Sequence, residues 1–193
     1  MAFASPAFTG DANAMSLRGI AAALLLAVGS LAPAFAGPPL ASHQHGVVQL
    51  DVAVDANRIS MQMSSPLDNL LGFERAPRND AERGRVAAMV ATLRSGALFL
   101  VDKSGSCRNG AIQLSSAALQ LGEPDPAELQ TGHADLDASF EFECSAAARA
   151  GFVDTALFER FPGIQRIDVQ LATPRGQRKL TLARPARRIA LPH

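Results

Sequence analysis

The chain has 193 residues, with 18 basic and 18 acidic side chains and therefore a formal charge of zero. This balance argues against nucleic acid as the main partner, because binding to phosphates requires an excess of positive charge. Tryptophan and tyrosine are both absent, which argues against a surface that stacks sugars or bases.

The first predicted element is a cleavable secretory signal peptide that begins at Met15. Arg18 precedes a short apolar run, and Ala34 and Ala36 give the small-x-small pattern that signal peptidase cleaves. A membrane anchor is the alternative, but the run is shorter than the roughly 20 residues that span a bilayer. We therefore predict cleavage after Ala36 and one mature domain over residues 37–193, with no membrane span.

Alternating apolar and polar residues then predict a hairpin over residues 46–65, which Pro66 ends. Asn79 and Glu82 predict the N-terminal cap of a helix, and Gly96 closes that helix. Three further stretches with strand patterning follow the helix: residues 97–101, 111–119 and 133–144.

Val153, Leu157 and Phe161 lie at i, i+4 and i+8, which predicts a second amphipathic helix that Pro162 stops. A second hairpin follows around the Pro-Arg-Gly turn at residues 174–176. The predicted order is therefore β-β-α-β-β-β-α-β-β. This order predicts an α+β fold, a single domain with a mostly antiparallel sheet and two helices.

The two cysteines, Cys107 and Cys144, both lie in the part of the chain that is predicted to be exported. An oxidising compartment favours a disulfide between them, and two buried free thiols are the alternative. A zinc site at these cysteines would need further ligands beside each of them, and the sequence has no C-x-x-C motif. We therefore predict one disulfide.

Signatures of catalysis are missing from the sequence. It contains no G-x-S-x-G, no H-E-x-x-H, and no glycine pattern for binding phosphates or dinucleotides. The segment Gly72-Phe73-Glu74 is interpreted as a glycine turn with a buried phenylalanine rather than as a functional loop. We therefore predict that the protein is not an enzyme.

Two groups of residues carry the chemistry of metal ligands. The first is the pair His43 and His45, which follows the predicted cleavage site. In an extended segment, residues two apart point to the same side, so both imidazoles could reach one ion. A solvated N-terminal tail whose histidines have no role is the alternative.

The second group lies on the strand that leads to Cys144. One face of this strand is apolar and predicted to be core: Leu136, Ala138, Phe140, Phe142 and Cys144. The other face carries an imidazole and a ladder of carboxylates: His133, Asp135, Asp137, Glu141 and Glu143. Such a ladder repels itself unless a cation or basic side chains neutralise it, and zinc accepts nitrogen and oxygen ligands of these types. A solvent face opposite arginines on a neighbouring strand is the alternative.

An ordered set of motifs runs through nearly the whole predicted mature chain: His43-x-His45-Gly46, Ser65-Pro66 with Leu70-Leu71-Gly72-Phe73-Glu74, Cys107, Gly132-His133-x-Asp135 with Cys144, Leu157-Phe158-x-x-Phe161-Pro162, and Gln170-Leu171 with Gly176-Gln177. This set resembles the ZrgA-type family of zinc-regulated periplasmic proteins of Gram-negative bacteria. The resemblance implies a periplasmic zinc-binding accessory protein that assists high-affinity zinc uptake. Its implied partner is the solute-binding subunit of a zinc ABC transporter.

By position, the resemblance implies zinc ligands at four residues: His43, His45, His133 and Asp135. The chain departs from the family pattern because a His-rich insertion before the Gly-His strand is reduced to a short acidic segment. It also departs along that strand, where histidines are replaced by other residues: Asp137, Ser139 and Glu141. The predicted zinc site is drawn from six residues: His43, His45, His133, Asp135, Asp137 and Glu141.

Two other functions remain open. The main alternative to a zinc-binding accessory protein is an exported, disulfide-locked interaction module without metal. The third hypothesis is a hydrolase that holds an active-site ion on the acidic face of the strand leading to Cys144.

Overall fold

The structure is a computed structural model that describes residues 44–123 and 134–192. The predicted signal peptide and its cleavage site lie outside the described residues, and so do His43 and His133. Within the described ranges, no helix combines the length and the apolar character needed to cross a membrane.

Six strands form one large sheet: β1 (Val47–Val54), β2 (Arg58–Pro66), β4 (Cys107–Ser115), β5 (Asp135–Cys144), β7 (Arg166–Thr173) and β8 (Gly176–Ala183). Their order across the sheet is β4-β5-β2-β1-β7-β8. Neighbouring strands are antiparallel except for β1 and β7, which pair in parallel from Val47 opposite Arg166 onward. Burial alternates along β1 and β2, because one face of the sheet covers the core and the other is polar.

Three short strands form a second, antiparallel sheet in the order β3-β6-β9: β3 (Phe99–Val101), β6 (Phe152–Thr155) and β9 (Arg188–Ala190). Three helices complete the described structure: α1 (Leu67–Leu71), α2 (Asp80–Arg94) and α3 (Leu157–Arg160). Within this sheet, the guanidinium of Arg188 in β9 donates to both carboxylate oxygens of Asp154 in β6, each at 2.8 Å.

The buried apolar side chains form a single cluster to which both sheets and all three helices contribute. Met89 and Leu93 of α2 are buried in it. Phe140 of the large sheet meets Phe99 of the small sheet edge to face, with ring centroids 4.9 Å apart. The two sheets therefore share one core.

The predicted fold class is confirmed: the described chain is α+β, its sheets are mostly antiparallel, and Cys107 is bonded to Cys144. Both predicted hairpins form, as β1–β2 and β7–β8. The predicted helix cap also forms, since the side chain of Asn79 accepts a hydrogen bond from the backbone of Glu82 at 2.9 Å.

The predicted amphipathic helix through Val153 and Phe161 is wrong. Val153 lies in strand β6, and only the four residues Leu157–Arg160 are helical. Both Val153 and Leu157 are fully buried, so the apolar spacing reports burial in two successive elements rather than one helical face. The predicted strand over residues 111–119 is also displaced, because β4 begins at Cys107 and contains an irregularity between Asn109 and Ile112.

Candidate metal site

The face of β5 opposite the core carries the carboxylates that the sequence predicts as metal ligands. Towards Cys144 these carboxylates meet arginines. Arg58 Nε lies 3.6 Å from Glu141 Oε2, and Arg108 contacts the carboxylate of Glu143 directly across the β4–β5 pair. This half of the strand therefore matches the alternative of a solvent face neutralised by arginines on neighbouring strands.

The other half of β5 has different neighbours. Asp137 lies between two serines in register, Ser64 on β2 and Ser115 on β4. It lines an open cleft of about 570 Å³, whose wall also includes Glu123 and Arg94. Asp135, at the start of β5, is buried opposite Pro66. Two of the predicted ligands thus lie where the strand begins, away from the arginine pairs.

His45, the one histidine among the described residues, contacts two carboxylates. Its Nδ1 lies 3.0 Å from Asp68 Oδ2 and 3.8 Å from Glu74 Oε1. The imidazole is 69% exposed, so the three side chains form a polar group that solvent can reach. Neither Asp68 nor Glu74 is among the ligands that the sequence predicts.

Local structure around α1 explains why both carboxylates face His45. Asp68 lies in the first turn of α1, which follows β2 directly. The helix ends at Gly72, whose φ of 77° reverses the chain and is readily adopted by glycine. Phe73 then packs against the core but is only partly buried, and Glu74 is exposed.

A partly buried ion pair holds the loop that carries Glu74. Arg75 binds both carboxylate oxygens of Glu82 on α2, at 2.7 and 2.9 Å, and the backbone of Arg78 donates to the same carboxylate. The Arg75 hydrogen bonds lower the pKa of Glu82 to about 2, with the Arg78 bond as the next cause. Glu82 is therefore ionised, and the pair charged, at neutral pH.

The register of the sheet brings two parts of the chain to one end. Both β1 and β5 run antiparallel to β2, so each begins beside the end of β2. Leu67, just after β2, donates from its backbone N to Ala134 O at 2.9 Å. We call this edge the histidine end, because His45 and His133 each precede one of these strands by two residues in the sequence.

The chemistry of His45 follows from the position of Asp68. A carboxylate that accepts a hydrogen bond from Nδ1 favours the tautomer whose lone pair is on Nε2, and this is the usual arrangement of a zinc-binding histidine and its orienting carboxylate. Within residues 44–123 and 134–192, however, no three His, Cys, Asp or Glu side chains are arranged to hold a metal ion as they stand. Completing a site requires a ligand from elsewhere or movement of these side chains.

The same contacts raise the pKa of His45 above 6.5, first through the hydrogen bond with Asp68 and then through the charge of Glu74. The charged pair therefore stabilises the folded protein at pH below about 6.5, and this contribution is lost as pH rises through the higher folded-state pKa. Protons also compete with zinc for the imidazole. As the pH is lowered, zinc binding should therefore begin to weaken at a higher pH than it would at a histidine with an ordinary pKa.

We expect Asp68→Ala to lower the pKa of His45 towards 6.5, and Glu74→Ala to lower it by less, because Asp68 is the larger cause. A pH titration of the His45 ring protons, followed by NMR, measures both shifts. An unchanged pKa in Asp68→Ala would show that the contact does not persist in solution.

Comparison with known proteins identifies one family. A search of curated proteins finds no significant match. A family profile described as "ZrgA family zinc uptake protein" matches residues 42–191. That match covers both sheets, all three helices and the histidine end. The chain belongs to the ZrgA family of zinc uptake proteins.

Proposed function

We propose that this protein binds zinc in the periplasm and assists zinc uptake without catalysing a reaction. The observation that carries the proposal is the histidine end, where His45 contacts Asp68 and the start of β5 lies beside α1. The family description supports the choice of zinc as the cargo.

The donor set fits zinc better than calcium or magnesium. Zinc accepts imidazole nitrogen together with carboxylate oxygen, whereas calcium and magnesium select sites made of oxygen alone. His45 would supply Nε2, and Asp68 would orient the ring. The predicted ligands His43 and His133 would complete the site, and both remain predictions.

The exposure of His45 favours a site that passes zinc on rather than one that retains it. A structural zinc site is usually closed by four protein ligands, whereas the imidazole here is 69% exposed. An exposed ligand can be reached by the ligand of a second protein. We propose the solute-binding subunit of a zinc ABC transporter as that protein.

The disulfide supports the proposed location. Disulfides persist in oxidising compartments such as the periplasm and are rare where glutathione keeps thiols reduced. Cys107 and Cys144 face each other across the β4–β5 pair and are bonded. The predicted signal peptide provides the route of export.

Calorimetric titration of residues 37–193 with zinc, calcium and magnesium tests the proposal. We expect binding that is selective for zinc. Asp68→Ala should weaken it about 10–100-fold, the usual effect of removing an orienting carboxylate, and His45→Ala should weaken it further. His133→Ala tests the predicted ligand on the approach to β5.

Two matched variants serve as controls. Asp80→Ala removes a carboxylate that is 97% exposed and pairs with Arg83, and it should leave zinc affinity unchanged. His193→Ala removes the C-terminal histidine and should also have no effect. Indifference of the wild-type protein to all three metals would contradict the proposal and favour the interaction module without metal.

A further inference from the structure

Asn69 is a buried polar residue whose side chain holds the segment next to His45. Only 3% of the residue is exposed. Its Oδ1 accepts a hydrogen bond from Gly46 N at 2.5 Å, and its Nδ2 donates to Val47 O at 2.8 Å and to Ser65 Oγ at 3.2 Å. The side-chain amide of Asn69 therefore makes three hydrogen bonds, and all of them lie within the histidine end.

The bond to Gly46 matters most, because this N–H belongs to the peptide group that joins His45 to Gly46. On the other side of the same segment, Gly46 O accepts from the backbones of Gln165 and Arg166 at 2.7 and 2.9 Å. Gly46 has a φ of 81°, and a Cβ there would lie 3.0 Å from the side chain of Gln165. The backbone after His45 thus has little freedom.

Strand pairing with β2 does not hold the backbone of Gly46 and Val47 in place. The antiparallel register between β1 and β2 extends only to Gln49 opposite Ser64, so Gly46 and Val47 lie beyond it. Asn69 takes the place of the missing ladder by accepting from one of these residues and donating to the other. It is adjacent to Asp68, which contacts the His45 ring. One turn of α1 therefore holds both the backbone and the side chain of His45.

We propose that Asn69 is a positioning residue for the zinc ligand His45, an inference that rests on the proposed function. Its amide sets where the peptide after His45 lies, and this determines whether the imidazole reaches Asp68. Without Asn69, Gly46 would keep its hydrogen bonds with Gln165 and Arg166 but lose its hydrogen bond to α1. The ring would then spend less time beside Asp68, and its Nε2 would no longer be presented in one direction.

The test uses Asn69→Ala in residues 37–193, with two readouts. The first is the pKa of the His45 ring measured by NMR in the absence of zinc, which should fall towards its ordinary value. The second is zinc affinity measured by calorimetry, which should fall about 10–100-fold, as for other groups that orient a ligand. Asn69→Ser, which keeps a hydroxyl but is too short to make the same bonds, gives the same readouts if Asn69→Ala does not fold.

The matched control is Asp102→Ala, since Asp102 also holds backbone groups, those of Ser104 and Gly151, in another part of the chain. We expect it to lower the melting temperature while leaving the His45 pKa and zinc affinity unchanged. If the Asn69 variants lower the melting temperature but not the His45 pKa, Asn69 is only structural and the inference is overturned. If the His45 pKa falls but the wild-type protein binds no zinc, the proposed function fails while the positioning by Asn69 stands.

Discussion

Phe140→Ala is expected to lower the free energy of unfolding by about 3–5 kcal/mol, as large-to-small substitutions of buried aromatic residues usually do. Phe140 is 2% exposed and lies on the core face of β5. Its ring also makes the edge-to-face contact with Phe99 that joins the two sheets, with an angle of 68° between the rings. The substitution therefore leaves a cavity and removes an aromatic pair. Chemical denaturation followed by circular dichroism measures the loss.

The control is Leu100→Ala, next to Phe99 in β3. Leu100 is 63% exposed, so its truncation should change stability by no more than about 0.5 kcal/mol. The double variant Phe99→Ala/Phe140→Ala should show a coupling of about 0.5–1.5 kcal/mol between the rings. Equal effects of Phe140→Ala and Leu100→Ala would contradict a core shared by the two sheets.

Removal of the disulfide is expected to lower stability by a similar amount. The bond joins positions 37 residues apart, and the chain-entropy relation gives about 4 kcal/mol for a loop of this length, within a usual range of about 2–5 kcal/mol. For a protein of this size, such a loss lowers the melting temperature by roughly 4–20 °C. The variant is Cys107→Ala/Cys144→Ala, which leaves no free thiol, and calorimetry measures the melting temperature.

Reduced wild-type protein is the control, because it keeps both sulfur atoms but lacks the bond. If the bond itself stabilises the fold, the reduced protein and the double variant should melt at similar temperatures, both below the oxidised protein. If the reduced protein instead melts at the same temperature as the oxidised form, the lower stability of the double variant comes from lost packing around Cys144, which is buried.

Much of the large sheet could be predicted from the sequence, because four of its strands, β1, β2, β5 and β7, bury one face each. Alternation through Val48, Leu50 and Val52 marks β1, and the apolar face of β5 is buried from Leu136 to Cys144 as predicted. A side-chain period of two in such strands is a direct consequence of their geometry. The helix cap at Asn79 is equally local, and it too is confirmed.

Of the small sheet, only β3 is predicted by the sequence, as part of residues 97–101. The strands of this sheet have three or four residues, which is too short for a period to be distinguished from chance. Val153 and Leu157 illustrate this, since their spacing of four residues predicts one helix, although they lie in two elements, β6 and α3, that Ala156 separates. Only the pairing of β6 with β3 and β9, from distant parts of the sequence, defines β6 as a strand.

The candidate site shows where local sequence stops being informative. The motif at His45 predicts a metal ligand, but its carboxylate partners Asp68 and Glu74 lie more than twenty residues further along the chain. No local spacing connects them. They meet because β2 returns the chain to the start of β1, and α1 then presents Asp68 at that point. Asn69 was missed for the same reason.

The parallel pairing of β1 with β7 has a consequence for how the chain reaches its folded state. β1 lies inside the large sheet, yet one of its two neighbours comes from the last part of the sequence. Contacts so distant along the chain form late, because the loop between them must be closed first. A chain that crosses a membrane N-terminus first cannot complete this sheet until Arg166–Thr173 has emerged. The large sheet of a chain exported in this way would therefore be completed late in translocation.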